Sequence, residues 1–90
     1  MTPGFICRHV SAGAPVLRAV RDTPLDDDDS GWCCTCGQDD HETADYLLVN
    51  LDRYVMADRS LKAVLDSAIN TIAERATCEH PWVIEAIEAI

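Results

Sequence analysis

Nine acidic side chains, Asp22, Asp26, Asp27, Asp28, Asp29, Asp39, Asp40, Glu42 and Asp45, follow one another with no lysine or arginine between them. The rest of the chain holds seven acidic and seven basic residues, so the whole formal charge of -9 resides in this stretch. Carboxylates at that density cannot be folded into an interior, because each buried charge would need a partner of its own. The stretch has to be a solvated loop or rim, or be relieved by a bound cation or partner. The fold must be assembled around it.

Ninety residues make one domain, residues 1–90. A chain of this size buries only about 60–65% of the surface it exposes when unfolded, so its core is thin. A hydrophobic share of 48% and a charged share of 26% belong to a globular protein rather than a disordered acidic tail. No apolar run reaches membrane-spanning length, and no basic segment followed by an apolar one opens the chain. Five cysteines, an odd number without an export signal, point to free thiols in a reducing cytoplasm.

Along the chain, residues 5–10 and 16–21 have strand length and are separated by Ser11, Gly13 and Pro15, which predicts a hairpin. Pro24 and the aspartates predict a loop up to Ser30. Residues 31–36 predict a third strand closing at Gly37, and residues 46–49 a fourth. Asn50 can cap a short helical turn over residues 51–55. Leu61, Val64, Leu65 and Ala68 follow helical spacing, and periodicity alone would carry that helix from Ser60 to Ala76. Pro81 breaks the pattern and leaves residues 82–90 as a short closing strand or helix.

Several chemistries can be weighed on these residues. Cys33, Cys34 and Cys36 with His9, His41 and His80 offer soft ligands for zinc, His41 lying nearest in sequence, but the Cys-x-x-Cys spacing of a zinc module is absent. Alternation in a strand also sends Cys33 to the face opposite Cys34 and Cys36. The competing reading makes these cysteines small hydrophobes of a strand. The aspartate run lacks the alternating ligands, central glycine and closing glutamate of a calcium loop. Cysteine, histidine and aspartate are present without a nucleophile elbow, a phosphate loop or paired carboxylates, so no catalytic residue is assigned and no cofactor is implied. The charge balance argues against nucleic acid and anionic membranes as partners. A basic protein surface suits it, since clustered acid accelerates and selects such encounters. The plain alternative is a solvated loop that keeps the protein soluble.

The order of short motifs resembles the immunity protein 33-like family of small bacterial domains, over residues 7–75. The matching pieces are Cys7, then Arg21-Asp22-x-Pro24, then Asp29-Ser30-Gly31-Trp32 with Gly37 closing the strand. Leu51, Asp58, Leu65-Asp66-Ser67 and Glu74-Arg75 follow. The chain departs from the family pattern at Cys34 and Thr35, where aromatic residues are usual, and at Ala68, Asn70 and Ala73 in place of Pro, Gly and an aromatic. The resemblance implies a turn near residues 67–70 and a strand into Arg75, against the unbroken helix. Asn70 tolerates the left-handed backbone such a turn requires.

The resemblance further implies an α+β fold, with a small, curved, mostly antiparallel sheet of four to five strands and one main helix. It implies a role in neutralising a partner toxin. On that expectation Arg21, Asp22, Asp29, Ser30, Gly31, Trp32 and Gly37 are framework, with Arg21 anchoring the acid loop through Asp22 or Asp29. Asp26, Asp27, Asp28, Asp39, Asp40 and Glu42 are left as the surface that would meet a basic partner. The alternatives are a zinc module on Cys33, Cys34, Cys36 and His41, and an acidic structural domain without a dedicated partner.

Overall fold

The computed structural model describes residues 2–23, 30–37 and 45–86. In chain order the elements are β1 (Pro3–Cys7), α1 (Arg8–Ser11), β2 (Arg18–Arg21), β3 (Trp32–Thr35), β4 (Tyr46–Asn50), α2 (Asp52–Ala57), α3 (Leu61–Leu65), β5 (Thr71–Glu74) and β6 (Val83–Ala86). The strands form one sheet in the order β4-β1-β3-β2-β5-β6. β1 and β3 run parallel, and every other neighbouring pair is antiparallel.

This α+β architecture differs from the expectation in three respects. The sheet has six strands rather than four to five, although four of its five pairings are antiparallel, as a mostly antiparallel sheet requires. The expected hairpin of the first two strands does not form: β3 lies between β1 and β2. The reason is local, because Cys7 and Val10 are both buried three residues apart, which is helical spacing. The chain therefore turns into α1 at Arg8 instead of continuing as a strand to residue 10. Gly13, at φ 114, then redirects it toward β2.

The third difference is that among the described residues no helix dominates, since α1, α2 and α3 hold four, six and five residues. Leu51, not Asn50, is the N-cap of α2 and makes no side-chain cap bond; the Asn50 side-chain oxygen, one residue earlier, accepts the Asp52 amide at 3.0 Å. In α3 only Leu61 and Val64 are buried, and the helix stops at Asp66. Asn70 sits at φ 65 and donates its amide to the Arg21 carbonyl at 2.7 Å, which starts β5 along the edge of β2. The turn and strand thus replace the long helix that periodicity alone suggests over residues 60–76. Val83–Ala86 closes the sheet as an exposed edge strand.

Strand register separates the two faces. One row of directly paired residues runs Leu47, Ile6, Cys34, Ala19, Ala73, Ile84. Its four central members are fully buried and form one core with Val10, Trp32, Leu51, Leu61 and Val64. Tyr54 and Val55 of α2 pack on the same core, so the three helices lie on this face. The adjacent row projects from the opposite face, as alternation along each strand requires.

Candidate functional site

The acid segment joins the described structure at the two ends of β3, at Ser30 before it and at Gly37 after it. The six residues expected to meet a partner, Asp26, Asp27, Asp28, Asp39, Asp40 and Glu42, lie outside the described residues, as do Asp29 and His41. The framework between them is visible. Ser30 donates through its amide (3.2 Å) and its hydroxyl to the Pro3 carbonyl, fastening the approach to β3 onto the start of β1. Gly31 has φ 88, and a Cβ there would fall on the Asp22 carbonyl oxygen. That contact is set by the Asp22 amide donating to the Gly31 carbonyl at 2.9 Å, which closes the β2–β3 ladder. Trp32 is 1% exposed, the largest fully buried side chain.

Arg21 ties this end together. Its Nε donates to the Ser30 carbonyl at 3.0 Å and its guanidinium to the Ser67 carbonyl at 2.7 Å, while its charge sits 5.7 Å from the centre of the Trp32 ring. Its described partners are main-chain carbonyls and a ring face; Asp29, one of the two expected anchors, lies outside the described residues.

A second arginine, Arg75, holds the far end of the sheet and is 7% exposed. It donates to the Val16 carbonyl through Nε (3.1 Å) and its guanidinium (2.8 Å), to Ser60 Oγ at 3.1 Å, and to the Asp58 carboxylate. Its charge lies 4.3 Å from the Trp82 ring centre, and Trp82 Nε1 donates to Ser60 Oγ at 3.0 Å. Burial pushes the Asp58 carboxyl up, but hydrogen bonds from Ser60 and Arg75 and the charge of Arg75 outweigh it, and the net shift is downward. A groove of about 440 Å³ beside this pair is lined mainly by Val10, Pro15, Val16, Tyr54, Leu61 and Cys78.

The open face carries the row Leu48, Phe5, Cys33, Val20, Ile72, Glu85, read across all six strands from direct pairings. Five of its six members are apolar or thiol side chains. None belongs to the core cluster or is packed against it, and Leu48 is 51% exposed. Among the described residues no helix covers this face. Sequence reading missed the row because it depends on strand order. Once the registers are fixed, the apolar residues at alternate positions on either side of Ile6, Cys34, Ala19 and Ala73 reveal it.

The cysteines divide. Cys34 is fully buried, and its thiol is pushed up to about 12 by burial and, secondarily, by Cys33. A group so reluctant to ionise acts as a core hydrophobe. Cys36 instead meets Cys7 and His9: the three ligand atoms lie within 4.8 Å of one another. Of the residues weighed for zinc, Cys36 and His9 belong to this group and Cys33 and Cys34 do not, while His41 lies outside the described residues. A Cys-x-His spacing at Cys7 and His9 was the available sequence signal.

Comparison of the chain with known protein families, with curated proteins and with solved structures gives no match.

Proposed function

We propose that this chain is a non-enzymatic, cytoplasmic binding domain of the immunity type, which takes a basic protein surface against its open sheet face. The observation that carries the proposal is the apolar row Leu48, Phe5, Cys33, Val20 and Ile72 in a molecule whose entire net charge belongs to the segments at either end of β3. An apolar centre with a charged periphery is the anatomy of a recognition surface, and the sign of the charge selects a cationic partner. The motif order around Ser30, Gly31 and Trp32 adds the kinship with immunity domains and the toxin as the kind of partner.

Other features agree. The carboxylate nearest the groove, Asp58, is held by Arg75 and Ser60, which suits a structural role better than acid–base chemistry. None of the five cysteines is in a disulfide, in keeping with a reducing compartment. Among the described residues no helix is long and apolar enough to cross a membrane.

A secreted toxin encoded beside this gene is the partner the proposal expects, and binding to it is the test. Replacing Asp26, Asp27 and Asp28 together with Asn is expected to slow association by on the order of tenfold at low ionic strength. Leu48→Lys should shorten the lifetime of the complex without unfolding the domain, since Leu48 is half exposed on an edge strand. A gene neighbourhood without a toxin, or a complex indifferent to both changes, overturns the proposal.

A further inference from the structure

Cys7 ends β1, and Cys36 directly follows β3. Because β1 and β3 are parallel neighbours, with Phe5 opposite Cys33 and Ile6 opposite Cys34, their C-terminal ends finish side by side. α1 begins at the residue after Cys7, so His9 is carried back over that end within half a helical turn. Two thiols and an imidazole, from the end of β1, from α1 and from the residue after β3, are thereby gathered at one corner of the sheet.

We infer that Cys7, His9 and Cys36 form a zinc site. The geometry supports it in detail. Zinc–sulfur and zinc–nitrogen bonds of ~2.3 Å and ~2.0–2.1 Å at tetrahedral angles require a sulfur–nitrogen edge of ~3.6 Å and a sulfur–sulfur edge of ~3.8 Å. Cys36 Sγ lies 3.5 Å from His9 Nδ1, and all three ligand atoms lie within 4.8 Å of one another. Closing the remaining edges takes shifts of about 1 Å or less, within the reach of side-chain rotation at Cys36 and His9, which are only half buried.

The donor set selects the metal. Two thiolates with one imidazole suit a thiophilic cation and disfavour magnesium or calcium, which take oxygen ligands. Two thiolates also balance the charge of a divalent ion, so the site can be neutral although Cys7 is fully buried. Cys7 lies in the interior while His9 and Cys36 reach the surface, so the fourth corner of the tetrahedron faces outward. The described residues supply three ligands, the number used by a zinc site whose fourth position is taken by water. Binding would join the ends of β1 and β3 to α1, and the two strands meet there in the sheet's one parallel pairing. The site shares only Cys36 with a set built from Cys33, Cys34, Cys36 and His41.

The experiment is titration of the reduced full-length chain with zinc against a chromophoric chelator, and with cobalt as a spectroscopic probe. One equivalent of zinc is expected. The cobalt form should show a thiolate charge-transfer band and the intense visible bands of a tetrahedral centre. His9→Ala and Cys36→Ser should each weaken zinc binding by more than ~10-fold, whereas Cys33→Ser combined with His41→Ala should leave it unchanged. Cys7→Ser alters a buried position, so the surface variant His9→Ala decides the matter if Cys7→Ser does not fold. Failure to bind a stoichiometric metal, a cobalt spectrum without the thiolate band, or full zinc affinity in His9→Ala overturns the assignment.

Discussion

Arg21 and Arg75 occupy opposite ends of the same β2–β5 ladder, and each sets its guanidinium against an indole ring. Their partners differ in kind. Arg21 donates to two carbonyls, Ser30 and Ser67, at the end where the acid segment begins with Asp22. Arg75 is buried and donates to the Val16 and Cys78 carbonyls, a hydroxyl and the carboxylate of Asp58. The difference shows how a strongly acidic chain can use its few cations. Where acid is abundant, the described bonds of the arginine organise main chain. Where acid is sparse, a buried arginine takes a carboxylate of its own, because an unpaired buried cation would be far costlier.

The largest expected effect separates the two sites directly. Arg75→Ala strands the Val16 carbonyl and the Asp58 carboxylate and removes the cation beneath Trp82, and it should cost about 3–5 kcal/mol. A domain of this length has roughly 5–13 kcal/mol in all. Urea denaturation at pH 7 should therefore place the Arg75→Ala variant near the limit of folding. Arg21→Ala removes charge-assisted bonds from two carbonyls in a half-buried setting and should cost less, about 1.5–3 kcal/mol. Equal losses in the two variants would mean that the Asp58 pair adds nothing beyond the carbonyl bonds.

Much of the Arg21 end was legible in the sequence, and little of the Arg75 end was. Ser30-Gly31-Trp32 signals a tight approach to a strand, and a positive φ at Gly31 beside a buried Trp32 is what those residue types favour. Asn70 likewise marks the turn that ends α3, because few other side chains accept φ 65. Arg75 gathers partners from Val16, Asp58 and Ser60, which no local pattern connects. The same limit hid the strand order: β1 pairs with β3 in parallel, and nothing near Phe5 or Cys33 announces it. Cys7 and Cys36 become neighbours only through that pairing, and the short helix that adds His9 was concealed within a run of strand length.

Acid should reveal the smallest difference. The Asp58 carboxyl is lowered in the folded state, so its contribution is complete above the ordinary carboxylate range and is lost as pH falls through the folded value. Asp58 is about one-third exposed (34%), so solvent screens the pair and the loss is on the order of 1 kcal/mol. Total stability against pH mixes the contributions of every titrating group. The difference between the parent and Asp58→Asn isolates the pair. It should be constant from pH 7 to about 5 and shrink below about pH 4. The difference between the parent and Arg21→Ala, whose described partners do not titrate, should stay level over the same range. An Asp58→Asn difference that is equally level would show that the carboxylate holds Arg75 through hydrogen bonding alone, and the two ends of the ladder would then differ only in burial.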